Sequence, residues 1–149
     1  MSAKDRLLVS ACLLGANVKY NGKNNKIDID KLSNKYELVP FCPEVEGGLS
    51  IPRPPSEIVS KQPLKVVTID GKDVTKEFKR GAKKALKLCK KLKIKRALLK
   101  ENSPSCAKSF VYDGTFSKVL TKAEGVTASI LSKNSITIFN ENDLERLLY

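Results

Sequence analysis

Four cysteines stand at positions 12, 42, 89 and 106 of a 149-residue chain that contains no histidine. Together these facts narrow the available chemistry. Without histidine there is no Cys–His nucleophile dyad, no mixed Cys/His zinc site and no imidazole base. No C-x-x-C pair occurs, so neither a zinc ribbon nor a thioredoxin-type motif is supported. In a reducing compartment, scattered cysteines serve as buried hydrophobes, nucleophiles or metal ligands rather than as disulfides.

Local context separates one cysteine from the other three. Cys89 falls on a stripe made by Val74, Phe78, Ala82, Ala85 and Leu92 at spacings of three and four. It reads as a small core hydrophobe on an amphipathic helix. Cys12 follows the apolar run Leu7-Leu8-Val9, and Cys42 follows Leu38-Val39-Pro40-Phe41. Cys106 closes Ser103-Pro104-Ser105, a few residues beyond Ala97-Leu98-Leu99. Each run reads as a buried strand, so each of these thiols lies just past the carboxyl end of a strand. Thiolates without histidine suit zinc, copper(I) or iron–sulfur chemistry. Three thiolates are one short of a structural zinc set. Residue types alone leave a three-thiolate zinc with an open position and an iron–sulfur cluster equally available.

The elements that must position these residues follow from hydrophobic period and punctuation. Asn21-Gly22 marks a turn in a polar loop, and 28–34 reads as a short helix. Residues 43–55 carry Pro43, Gly47, Gly48, Pro52, Pro54 and Pro55, and are expected to form an irregular loop rather than a helix. An alternating strand over 64–69 ends at Asp70-Gly71, and Asp73 is expected to cap a helix reaching about Lys93. The segment Tyr112-Asp113-Gly114-Thr115-Phe116 reads as a turn between extended pieces. Thr121 and Glu124 have capping-box spacing before a short helix through Val126 and Leu131. A last strand over 136–139 precedes a terminal helix over 141–148, capped by Asn140. Strands alternating with helices predict a single α/β domain over 1–149: a mainly parallel, Rossmann-like sheet flanked by helices, with Gly/Pro-rich loops at the strand carboxyl ends. Ligands of such sheets bind beyond those ends, near a topological switch point.

The motifs Val9-Ser10-Ala11-Cys12-Leu13-Leu14-Gly15, Cys42-Pro43-Glu44-Val45-Glu46-Gly47-Gly48-Leu49 and Ser103-Pro104-Ser105-Cys106 resemble the thiouracil desulfidase-like family, also catalogued as the domain-of-unknown-function 523 family. Pro52-Arg53-Pro54-Pro55, Tyr112 to Ser117 and Gly125-Val126-Thr127-Ala128 extend the likeness over nearly the whole chain. The resemblance implies a [4Fe–4S] cluster held by Cys12, Cys42 and Cys106, with the fourth iron open to substrate. It implies non-redox removal of sulfur from a thiolated pyrimidine such as 2-thiouracil, with release of sulfide. Glu44 matches the family's acid/base and Ser103 its catalytic serine. Ala107 and Lys118 depart from the family, which usually has glycine at both places.

Elementary chemistry agrees with those roles. In a chain without histidine a carboxylate is the natural base, and Glu44 is two residues from Cys42; Glu46 is a weaker candidate. The Ser103 hydroxyl can donate to a substrate, or it can shape the turn before Pro104. Gly47-Gly48 permits close approach of backbone to a ligand, and Arg53 is expected to brace its loop.

Charge adds a second strand of inference. The chain has 28 basic and 16 acidic residues, a net charge of +12. Such a field favours anionic partners, so thiolated tRNA or nucleotides are a secondary substrate expectation, and a zinc-binding interaction module a third reading. The Lys-rich face of the long helix is expected to be solvated surface. No stretch reaches the ~20 apolar residues of a membrane span, and no secretory pattern opens the chain, so a cytoplasmic location is expected.

Overall fold

The computed structural model describes residues 4–149; the first three residues of the expected domain lie outside the described residues. β1 (Asp5–Ser10) is followed by a 3-10 turn, Ala11–Leu14, and α1 (Asp30–Lys35) leads into β2 (Tyr36–Phe41). α2 (Pro43–Glu46) is a single turn. β3 (Ser56–Lys61) and β4 (Leu64–Thr68) form an antiparallel hairpin before α3 (Thr75–Leu92). β5 (Arg96–Leu98) precedes a second hairpin, β6 (Phe110–Tyr112) and β7 (Leu120–Lys122). α4 (Val126–Lys133), β8 (Thr137–Phe139) and α5 (Leu144–Leu148) complete the order.

The central sheet runs β2-β1-β5-β8, and every pairing in it is parallel. The register sets Leu7 beside Leu38, Leu8 beside Ala97 and Ala97 beside Ile138. The continuous apolar run of β1 now has its reason: a strand inside a parallel sheet is covered on both faces. Leu8 packs among Ala85, Cys89, Ala128 and Leu131 of α3 and α4. Leu7 and Val9 point the other way, against Leu32 of α1 and Leu147 of α5. A third cluster, with Phe78, Ala82 and Val126, joins α3 and α4 to the β3–β4 hairpin through Ile58 and Val66. The chain reverses direction across the sheet between β1 and β5, the switch point beyond which ligands of such sheets bind. No helix among the described residues is long and apolar enough to cross a membrane.

Several expectations need correction. Residues 43–46 are helical because Pro43 occupies the first turn, where proline has no hydrogen bond to lose. β3 has too mixed a pattern, with one face half-solvated, to read as a strand from sequence. Thr121 lies in β7 rather than in a capping box; Gly125 precedes α4, and the Glu124 carboxylate accepts from the Ser132 hydroxyl. The terminal helix begins at Leu144 with Asp143 at its N-cap, after a turn in which the Asp143 N–H donates to Asn140 O; the Asn140 side chain accepts the Asn142 N–H and donates to Glu101. Val74 rather than Asp73 stands at the N-cap of α3, although the Asp73 carboxylate accepts from the Thr75 N–H at 2.9 Å; the stripe from Val74 to Cys89 is buried.

Candidate active site

β1, β2 and β5 deliver their following segments to one side of the sheet, and these line a cavity of about 640 Å³. Cys12, Cys42, Cys106, Glu44 and Ser103 all line it; Glu46 and Cys89 do not. Cys89 is in the core, where burial pushes its thiol up to about 11.

Each site cysteine has its own local scaffold. Cys12 sits in the 3-10 turn, whose end at Gly15 has φ of 95°, and its sulfur accepts from the Asn25 amide at 3.5 Å. Cys42 immediately precedes α2. Cys106 is 5% exposed, in a loop tied from both sides. The Ser103 hydroxyl oxygen accepts the N–H groups of Ser105 at 3.1 Å and Cys106 at 3.0 Å. From the other side the first turn of α4 holds the loop: Val126 N–H donates to Pro104 O and Thr127 N–H to Ser105 O. The approach is so close that a Cβ on Gly125 would meet the Ser105 carbonyl carbon at 2.5 Å.

Burial raises all three thiols. It outweighs the Asn25 hydrogen bond and the Lys100 charge at Cys12, and the Val45 backbone bond at Cys42. Cys106 is pushed up to about 12, first by burial and further by the nearby Cys42 and Cys12. The three sulfurs therefore lie within electrostatic reach of one another. Among the described residues no three Cys, His, Asp or Glu side chains are grouped as a site for a single metal ion. Three thiols on one cavity, in a chain without histidine, are the soft donor set that an iron–sulfur group takes.

Glu44 and Arg53 form the polar wall. Arg53 Nε lies 3.3 Å from Glu44 Oε1, with side-chain exposures of 6% and 17% for the arginine and the glutamate. The guanidinium also donates to Val18 O at 2.9 Å and Ser50 O at 3.1 Å, so one side chain ties together the segments of Val18, Glu44 and Ser50. Burial pushes the Glu44 carboxyl up, against the lowering charge and hydrogen bond of Arg53. The bracing expected of Arg53 is therefore directed at the carboxylate itself. Tyr20, Tyr112 and Phe116 also line the cavity, and Phe116 is set there by the second hairpin loop, where its backbone φ is 57°. Sequence reading missed Lys100 and Glu101, which also line the cavity; only their position between β5 and Ser103 could have drawn attention to them. Of the two family departures, Ala107 is fully buried and outside the left-handed region, whereas Lys118 has φ of 61°. At Lys118 the physical reason for a glycine is visible.

A parallel α/β sheet that brings three thiols and a buried, arginine-paired carboxyl to its switch-point cleft defines a class: an enzyme whose cleft sets sulfur donors beside a carboxyl. Comparison with known proteins makes this specific. The chain belongs to the 2-thiouracil desulfurase family, which matches residues 7–143. It is 39% identical over 150 residues to the uncharacterized protein YbbK of Bacillus subtilis (strain 168), spanning 95% of this chain and 99% of that protein. Its fold is similar to the solved structure of the [4Fe-4S]-dependent thiouracil desulfidase TudS, with a TM-score of 0.91 and 45% identity. That match covers 97% of this chain and 95% of the other.

Proposed function

We propose that this chain hydrolyses the thiocarbonyl of a thiolated pyrimidine such as 2-thiouracil, at a [4Fe–4S] cluster held by Cys12, Cys42 and Cys106. Water adds to the ring carbon, the C=S bond becomes C=O, and the sulfur leaves as sulfide; no oxidant or reductant is consumed. The observation that carries this reading is the convergence of three cysteines and the Glu44–Arg53 pair on one cavity. Family membership and the likeness to TudS support it.

When bound, the cluster supplies a thiophilic Lewis acid that polarises the C=S bond. The chain's own residues supply the rest. The Glu44 carboxylate takes a proton from the attacking water and returns it to the departing group. Arg53 holds that carboxylate in one orientation through its bonds to Val18 O and Ser50 O. Both acceptor positions of the Ser103 oxygen are used by backbone N–H groups. Only its O–H proton is left, so Ser103 acts as a donor to the ring's oxygen or nitrogen. Its turn-making and functional readings are thus compatible. Tyr20 and Phe116 offer apolar surface to a planar ring.

Anaerobic isolation and reconstitution test the reading. The protein is expected to turn brown, to bind iron and sulfide in equal amounts and to release sulfide from 2-thiouracil. Cys106→Ser is expected to lose the cluster; Glu44→Ala is expected to keep it and release no sulfide. A wild-type chain that takes up no iron, or a Cys106→Ser variant that retains it, refutes the assignment. One zinc per chain without acid-labile sulfide would favour the interaction-module reading.

A second reading concerns the form of the substrate. Lys76, Lys79, Arg80, Lys83, Lys84 and Lys87 line a shallow groove along α3. Arg80 and Lys84 also donate to Gly47 O and Glu46 O, next to the cavity wall. This face suits thiolated tRNA or its nucleotides, and salt-dependent tRNA binding would support it; no binding at low salt would end it.

A further inference from the structure

Cys106 and Ser103 lie on a loop that leaves β5 and returns to β6, and both ends of that loop meet at one carboxylate. Glu101 is buried, and its Oε1 accepts the N–H of Asn102 at 3.2 Å, of Ser109 at 3.1 Å and of Phe110 at 3.1 Å. Asn102 opens the loop; Ser109 and Phe110 close it. The other oxygen, Oε2, accepts from the buried Asn140 amide. Asn140 cannot turn freely, because its own oxygen accepts the Asn142 N–H at 2.9 Å. The segment after β8 adds three more links. Glu141 accepts from the Glu101 N–H and pairs with Lys100 Nζ at 2.7 Å, and Asp143 pairs with Lys108 Nζ at 2.7 Å.

We propose that Glu101 is a positioning residue, a carboxylate clasp that closes the 102–110 loop and thereby holds Cys106 and Ser103 in place for the reaction. The argument is geometric. A nine-residue excursion with its start at Asn102 in a left-handed conformation, φ 67°, needs a fixed point to close on, and three N–H groups share one oxygen. An anionic acceptor of several N–H bonds is stronger than a neutral one. The strand of the central sheet that no proposed ligand follows, β8, thus acts on the site through Asn140. This inference rests on the reading of Cys106 as a ligand only for its consequence in catalysis; the clasp itself is testable without a cluster.

Glu101→Gln retains one acceptor oxygen but sets an NH2 against the NH2 of Asn140. Adding Asn140→Asp restores a donor–acceptor pair and keeps an oxygen for Asn142. The test is iodoacetamide labelling of the full chain before reconstitution, with each cysteine followed by peptide mass spectrometry. In Glu101→Gln, Cys106 is expected to label roughly tenfold faster than in wild type, the effect of losing a charged hydrogen-bond acceptor. Cys89, also buried but on α3, is expected to keep its rate, and Glu101→Gln/Asn140→Asp to return Cys106 towards wild type. After reconstitution, Glu101→Gln is expected to yield iron to a chelator faster by a similar factor. Unchanged Cys106 labelling overturns the proposal. So does equal acceleration at Cys89, which would mean general loosening. If Glu101→Gln does not fold, Asn140→Ala is read the same way, with selective Cys106 labelling supporting the clasp and its absence refuting it. A wild-type chain that binds no iron would refute the cluster reading and leave the labelling result standing.

Discussion

Gly81→Ala sets two physical effects against each other, and the structure decides between them. Gly81 lies inside α3, where replacing glycine by alanine ordinarily stabilises a helix by about 1 kcal/mol. Here a Cβ would stand 1.9 Å from the Pro43 carbonyl oxygen and 2.6 Å from its carbon. The facing contact is equally tight, since a Cβ on Gly47 would lie 2.0 Å from the Glu77 carbonyl oxygen. Both obstacles are backbone, so neither can rotate away. To reach an ordinary 3.4 Å contact, α2 must retreat by about 1.5 Å. Overpacking of this kind costs up to about 3 kcal/mol, and the gain in helix propensity returns about 1, leaving about 2 kcal/mol of destabilisation. For a chain of this length that lowers Tm by about 4–8 °C. Because α2 follows Cys42 directly and carries Glu44, the same displacement is expected to cut sulfide release by at least about tenfold at saturating 2-thiouracil. Thermal unfolding by circular dichroism and a sulfide assay measure the two effects. A rise in Tm, the outcome that helix propensity alone dictates, would refute the reasoning.

Other substitutions probe separate features. Arg53→Lys keeps a cation but cannot reproduce three directed bonds to Glu44, Val18 O and Ser50 O; kcat is expected to fall at least about tenfold, with the cluster spectrum retained. Lys118→Gly removes a side chain from a left-handed position and is expected to raise stability by about 1 kcal/mol, read as an upward Tm shift of about 2–4 °C. Acid titration of stability probes the clasp. Burial opposes ionisation of Glu101, but its three backbone N–H bonds and Asn140 together hold the carboxyl below its ordinary 4.5. A lowered folded-state value stabilises above the unfolded value and is lost as pH falls through the folded one. Denaturant midpoints are therefore expected to drop below pH 4.5 in wild type and to drop less in Glu101→Gln. Asp143 is likewise lowered, by Lys108 and the Asn140 N–H against burial, and keeps part of the slope in the variant.

Much of this protein is legible in its sequence because the signals involved are local. Strands buried on both faces must be continuously apolar, which exposes the run at Leu7–Val9. The 3.6-residue period of α3 removes Cys89 from the candidate ligands without any structure, and the absence of histidine points to a carboxylate base. The parallel order of strands then predicts that Cys12, Cys42 and Cys106 share one edge. What tertiary structure decided was every relation between segments distant in the chain. Glu44 is an ordinary acidic residue until Arg53, held by two other carbonyls, closes over it. Asn140 reads only as a helix cap, and its oxygen does accept the Asn142 N–H; that its NH2 donates to the distant Glu101 carboxylate is visible only in the fold. Ser103 reads as either turn-former or donor; the structure shows its oxygen accepting two backbone N–H groups, which shapes the turn and leaves its O–H proton free for the proposed donor role. The sequence by itself determined which residues could do the chemistry. Their mutual approach, the gathering of three thiols at one cleft and the clasp proposed to hold one of them depend on packing between elements, and no local pattern encodes that.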